Sequence, residues 1–373
     1  MDRHWERTLE RAELLDLHEK VTVSQRLSFD DGVRLYTNPD LNAVGHLANL
    51  VRERLHGNRT YWVRNQHLNY TNFCNKFCKF CSFYRPPNDP NGYCMTVDEV
   101  RQQVRKWKDF RITELHMVGG VNHKLPYEYY LDIVRAIKDE RPEIHVKAYT
   151  MVELAQIQRL SRKSFAEVFA DLKAAGVESL PGGGAEVFSE RVHEGLFHLK
   201  GNSEKWVDIA RTAHQCGLPS NSTLLYGHIE TVEEKVEHHL KLRELQDETS
   251  GILTFIPLHF HPERTDMSEL PHATGMQDLR EIAVARLMLD NVPHLKSFWI
   301  MIGKQVAQVS QWYGADDVDG TIMEYEITRD PITDRDQRMT IQEMQAMIIE
   351  AGRVPVERDN LYNEVVEESA LAA

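Results

Sequence analysis

Residues 60–81 read TYWVRNQHLNYTNFCNKFCKFC, a run rich in β-formers that ends in three cysteines, Cys74, Cys78 and Cys81, spaced C-x3-C-x2-C. A strand that delivers thiols to its C-terminal end raises two questions: which elements the chain forms after it, and what the thiols bind. Beyond it, short β-rich runs alternate with amphipathic helices: ELHMVGG, IHVKAYT, VESLPGGG, SNSTLLYG, ILTFIPLHF, LKSFWIM and a weaker GTIMEYEI. Val100, Val104 and Trp107 share one helical face, as do Tyr130, Val134 and Ile137. Ser164 with Glu167, and Thr340 with Glu343, form capping-box patterns, and Gly176 and Gly352 suit the stops. Strand and helix alternate about eight times, which favours a parallel (β/α)8 barrel over an open sheet.

Residues 1–60 read as an N-terminal helical extension, with apolar positions such as Leu14, Leu15 and Leu17 and the run NAVGHLANLVRERLHG stopping at Gly57. Residues 61–330 would form the barrel, and 331–373 a C-terminal helical segment and tail packing on it. In such a barrel chemistry collects on the loops after the strands. Cys74, the Gly119-Gly120 pair, Pro181 to Gly184, and His259 with His261 all fall there.

The 373 residues are 42% hydrophobic, enough for a packed core, and carry a formal net charge of −13. That balance argues against a nucleic-acid partner, because phosphate recognition needs clustered Lys and Arg. No run approaches the ~18 apolar residues of a membrane span, and the start MDRHWERTLERAELL reads as a charged amphipathic helix. The expected compartment is the cytoplasm, where five cysteines are no disulfide framework and a tight cluster points to a metal or redox site.

Three thiolates can hold three irons of a [4Fe–4S] cube and leave the fourth open to a substrate, whereas electron-transfer clusters usually take four Cys. A zinc site completed by His67 or Cys94 is the alternative, although zinc loops usually pair two C-x2-C hooks or Cys with His. Cys94 and Cys216 read as small buried hydrophobes. The Gly182 to Gly184 run lets a ligand approach the backbone, with Glu178 and Ser179 just before it. It matches neither a dinucleotide nor a P-loop fingerprint. His259 and His261 sit two apart on a strand and face one side. His228 and Glu153 also follow strands, and His259, Glu153 and His228 are the candidate acid–base residues. The charged run EEKVEHHLKLRELQDE reads as a solvated helix face.

The cysteine spacing, with Phe80 just before the third thiol, resembles the radical S-adenosylmethionine superfamily. That resemblance implies Cys74, Cys78 and Cys81 as ligands of a [4Fe–4S] cluster and S-adenosylmethionine bound at its open iron. It implies Phe80 near the adenine and the Gly119-Gly120 turn near the amino group; by their places after the strands and beside the glycine run, Glu153, Glu178 and Ser179 are further candidate cofactor contacts. The family often has an acid where this chain has Val121, which offers no carboxylate there.

Longer stretches, among them HGNRTYWVRNQHLNYTNFCNKFCKFC, LPGGGAEVFSERV and EAGRVPVERDNLY, resemble the aminofutalosine synthase family of menaquinone biosynthesis. Sister families, a cyclase of the same route and deazaflavin-forming synthases, share much of this text. The resemblance implies an anionic aryl enol ether, 3-[(1-carboxyvinyl)oxy]benzoate, as substrate, and an external one-electron reductant. It also implies addition of a 5′-deoxyadenosyl radical to the terminal CH2, migration of the aryl group with cleavage of the aryl ether, loss of the carboxyl group and return of an electron. The product would be 6-amino-6-deoxyfutalosine, with S-adenosylmethionine consumed as co-substrate. Two carboxylates then need partners in an acidic protein. Arg59, Arg85, Arg191 and Arg264 are the candidates, with His259 as a neutral donor. A non-enzymatic iron–sulfur or zinc protein is the competing class, and it would need a fourth protein ligand.

Overall fold

The computed structural model describes residues 3–321, 323, 325–327 and 338–365. The first predicted strand forms in two pieces, β1 (Arg59–Val63) and β2 (Asn65–Leu68), separated at Arg64. It is followed by β3 (Glu114–Met117), β4 (His145–Ala148), β5 (Val177–Ser179), β6 (Ser220–Tyr226) and β7 (Ile252–His259). Next come β8 (His294–Leu295), β9 (Asp317–Gly320) and β10 (Val354–Glu357).

The pairing is parallel throughout and closes on itself. β2 pairs β3, β3 pairs β4, and β4 pairs β5; Leu180 bridges to Ser220 at the start of β6, which pairs β7, and β7 pairs β8. Lys296 bridges to Asp317, and β9 pairs β1, so the last stave meets the first. The chain therefore forms a closed radial (β/α) barrel. Helices such as Val97–Lys106, Tyr127–Glu140, Phe165–Ala175, Ser203–Gln215 and Gly275–Met288 cover its outside. The capping boxes at Ser164 and Thr340 form, and Val100, Val104, Tyr130, Val134 and Ile137 bury against the strands.

Two strand predictions change. In LKSFWIM only Leu295 belongs to a strand, and Trp299–Ile302 is a helical turn whose indole donates to Gly320 O at 2.9 Å. The aromatic run packs under the rim rather than in the ladder. The last stave begins on DVDG, ahead of GTIMEYEI, with Thr321 N bonded to Val63 O and His67 N to Met323 O; residues 322 and 324 lie outside the described set. The helix Val232–Thr249 is also not simply solvated, since it buries His238 and His239 along with Val236 and Leu242.

Ahead of the barrel, helices Arg3–Arg11, Leu15–Thr22, Phe29–Thr37 and Leu41–His56 build a second apolar cluster. They pack on the outer face of Gly275–Met288 through Ala283, Val284, Leu287 and Met288. After the helix Ile341–Glu350, β10 joins the outer side of β1 in the register Arg59 with Val354. The next residues close the lower end of the barrel: Arg358 Nε donates to Asp317 Oδ2 at 2.6 Å, Asn360 Nδ2 to Ser179 Oγ at 2.7 Å, and Tyr362 stacks on His294 at 3.5 Å.

The lumen is polar, where barrels of this kind usually pack branched aliphatics. Residues alternate inward along the strands, which turns Asn65, His67, Glu114, His116 and Lys147 to the interior. Lys147 Nζ lies 2.9 Å from Glu114, and Lys296 Nζ lies 2.8 Å from Asp319. Buried ion pairs of this kind seldom stabilise more than apolar residues of the same size. The polar lining is a feature of function.

Candidate active site

At the upper rim, the loop after β2 carries the three cysteines. It is pinned to the next loop, since Gly120 N donates to Thr71 O at 2.8 Å and Asn75 N to Val121 O at 3.2 Å. Glycine is required in that turn: a Cβ on Gly120 would stand 2.3 Å from Phe73 O, and one on Gly119 would stand 2.7 Å from the Tyr70 ring. The loop's far side is tied by Lys79 N to Leu196 O and by Asp266 N to Lys79 O. Arg85 clamps its end, with Nη1 on the carbonyls of Ser82 at 3.0 Å and Tyr84 at 2.8 Å. A candidate for gripping substrate therefore binds its own loop.

Cys74, Cys78 and Cys81 line one wall of a cavity of about 310 Å³. Gly119, Gly120, Val121, Thr150, Gly183 and Gly184 form another wall, and His259 with His261 a third. Burial pushes the Cys78 thiol up to about 12 and raises Cys81 as well, so neither is a nucleophile by itself; both become thiolates on binding metal. Phe80 faces the cavity, its ring edge-on to Phe197 at 5.9 Å and under the Lys200 ammonium at 4.9 Å. Cys94 and Cys216 are half-buried elsewhere, Cys94 Sγ lying 3.8 Å from the Tyr129 hydroxyl.

Glu153 supports the glycine turn. It accepts from Gly119 N at 3.0 Å, Tyr70 OH at 2.7 Å, Thr150 N at 2.8 Å and Thr150 Oγ1 at 2.7 Å. Burial raises its carboxyl to about 7 against those four bonds. It stands behind the cavity wall. Gly182 needs its positive φ of 69° and has no room for a side chain, a Cβ there falling 1.7 Å from Asn221 O.

Of the two rim histidines, His259 is the better placed. Its Nδ1 lies 2.9 Å from Asp278 Oδ1, which also accepts the Tyr226 hydroxyl at 2.8 Å, while Nε2 is buried at the cavity without a partner among the described residues. The carboxylate fixes the ring's tautomer and leaves Nε2 for a ligand. His261 Nε2 lies 3.0 Å from Met301 O, and burial lowers its ring to about 4. His228 does not reach the cavity, because Nε2 meets Leu225 O and Nδ1 accepts Ile229 N.

Several candidates lie elsewhere. Glu178 is exposed and accepts Lys138 Nζ at 2.6 Å; Ser179 meets His145 and Asn360 at the lower end of the barrel. Both directly precede the glycine run in sequence, yet neither lines the cavity. Arg59 pairs with Glu364 beside β10, and Arg191 forks onto Glu234 on the exterior at 2.9 and 2.7 Å. Arg264 is not among the cavity-lining residues. The structure thus brings none of the four arginines to the cavity. Of the cationic and polar groups that do line it, Lys76, Lys200, Lys296 and His116 were not among the candidates, and His67 was one only as a zinc ligand. The available signal was the two-residue alternation of polar side chains in NQHL, ELHM and HVKA, strands that are otherwise buried.

Residues 68–242 match the model of the radical SAM superfamily, and residues 249–369 that of the CofH/MqnC C-terminal region. The chain is 44% identical over 356 residues to the aminodeoxyfutalosine synthase of Thermus thermophilus, covering 94% of this chain and 96% of that protein. The chain belongs to the radical SAM superfamily. It is a radical SAM enzyme that uses a [4Fe–4S] cluster and S-adenosylmethionine. A second aminodeoxyfutalosine synthase, from Streptomyces coelicolor, is 39% identical over 358 residues, 93% of this chain and 92% of that one. The crystal structure of methylornithine synthase shares the fold, with a TM-score of 0.70 at 18% identity over 91% of this chain and 97% of that one. No helix of the described residues is long and apolar enough to cross a membrane.

Proposed function

We propose that this radical SAM enzyme joins the adenosyl group of S-adenosylmethionine to the enol ether carbon of 3-[(1-carboxyvinyl)oxy]benzoate, forming 6-amino-6-deoxyfutalosine in the cytoplasm with an external one-electron reductant. The observation that carries this reading is a single cavity that joins the thiol loop to buried polar groups in the lumen. When bound, the cluster and S-adenosylmethionine supply a primary carbon radical that reacts with whatever lies nearest.

Cys74, Cys78 and Cys81 would hold the cluster. The Gly119-Gly120 turn, kept in place by Glu153, offers backbone to the cofactor's polar end, and Phe80 and Gly183 flank the site. The protein's task is chiefly to hold the alkene against the reactive carbon and to exclude other hydrogen donors. Val118, Ile256, Leu258 and Phe260 give apolar walls for that purpose. His259, whose Nδ1–H is committed to Asp278, presents Nε2 as an acceptor, so it meets a hydrogen-bond donor of the cofactor or substrate and not, as expected from the sequence, a carboxylate.

The test is anaerobic turnover with cluster-loaded protein, a reductant and the enol ether, followed by mass analysis. The adenosine carbon skeleton should appear in the coupled product, with little free 5′-deoxyadenosine. Release of one 5′-deoxyadenosine per S-adenosylmethionine consumed would assign the chain instead to a hydrogen-abstracting sister such as the cyclase.

A further inference from the structure

The cavity does not stop at the rim. Its inner end reaches His67, His116, Phe298, Lys296, Asp319 and Tyr325. His67 is 4% exposed, yet neither Nδ1 nor Nε2 has a hydrogen-bond partner among the described residues. A buried imidazole with both nitrogens unmatched is costly, and native proteins rarely tolerate it without a ligand or water to fill the gap.

The surroundings specify the ligand. His67 stacks on His116 at 4.7 Å with 12° between planes, Phe298 lies nearly parallel at 6.5 Å, and Tyr325 stands edge-on at 5.4 Å. These rings make a slot for a flat group. Of the three protons on Lys296 Nζ, one is accounted for by Asp319 Oδ1 at 2.8 Å. Asp319 Oδ1 also receives Asn65 Nδ2 at 3.4 Å, and Glu114 takes Lys147 Nζ at 2.9 Å. The other oxygen of Glu114 has no partner among the described residues, but Glu114 does not line the cavity; the carboxylate that does, Asp319, is engaged, and the spare donors at the cavity's inner end are one ring N–H of His67 and the remaining Lys296 protons. Spare donors beside an engaged carboxylate suit an anion better than an amine.

We infer that the His67–His116–Lys296 floor is a subsite for a planar aryl carboxylate, whose carboxyl group points down the lumen while the rest of the molecule extends to the cysteine loop. This rests on the reaction proposed above and fixes the direction in which the substrate lies. The benzoate end is deep, and the enol ether is left at the rim beside Gly119, Gly183 and His259.

Equilibrium dialysis of labelled benzoate against the cluster-loaded protein reads this directly, with benzamide as the neutral isostere. Benzoate should bind and benzamide should not. H67F, which keeps a ring but removes both nitrogens, should weaken benzoate by at least about tenfold and raise KM for the enol ether by a similar factor, while affinity for S-adenosylmethionine is kept. H116F serves as the second variant should H67F fail to fold, with the same expected loss. Equal binding of benzoate and benzamide, or unchanged benzoate affinity in the variant that folds, would overturn the subsite. If wild-type protein binds benzoate in this way but never consumes the enol ether, the proposed reaction fails while the aryl carboxylate subsite stands.

Discussion

Glu153 Oε1 accepts the Gly119 amide at 3.0 Å and the Tyr70 hydroxyl at 2.7 Å, so one buried carboxylate ties the glycine turn after β3 to the strand that carries the thiols. E153A would strand both donors, each at a cost of about 1–3 kcal/mol. The urea midpoint should fall and the affinity for S-adenosylmethionine should weaken, because the Gly119-Gly120 wall loses its support. An unchanged midpoint would show that the turn stands without the carboxylate.

Arg358 and Asp317 meet at 2.6 Å, both inaccessible, in the lower end of the barrel. Removing one charge from such a pair leaves the other buried and alone, which costs about 3–5 kcal/mol. R358M should therefore lower stability strongly, and the double variant D317N/R358M should recover most of the loss. Urea denaturation of the three proteins measures both effects. If R358M alone is as stable as wild type, the C-terminal segment does not hold the barrel closed.

The closed barrel, the rim and the thiol loop were legible because each rests on local chemistry: strand and helix periods, the cysteine spacing, and glycines where backbone meets backbone. The substrate contacts were not, for a physical reason. Residue type says that an arginine suits a carboxylate but not which end of a stave or which side of a helix it occupies; Arg85 was spent on its own loop and Arg191 on Glu234. Glu178 and Ser179 do not line the cavity because their side chains are taken by Lys138 and by His145 with Asn360, contacts that only the folded chain sets. His67 and Lys296 were readable in principle as polar residues facing inward at every second position.

Acid should unfold this protein through its histidines. Burial lowers His214 to about 4 and His238 to about 3, against about 6.5 when unfolded. Between those values the unfolded chain binds more protons than the folded one, so stability climbs with pH through this window and is lost as pH falls from about 6.5 toward about 4. The urea midpoint should be lower at about pH 5 than at about pH 7.5. A flat profile would mean that these rings are protonated in the fold.

The account stands on three thiols sharing a cube and leaving one iron to S-adenosylmethionine. Its most direct measurement is electron–nuclear double resonance on reduced, anaerobically reconstituted protein with the amino nitrogen of S-adenosylmethionine labelled. The account predicts hyperfine coupling from the label to the cluster, present in C94A and in C216A and lost with the cluster in C78A. A cluster that shows no coupling to the label, or one that disappears when Cys94 is replaced, would contradict it.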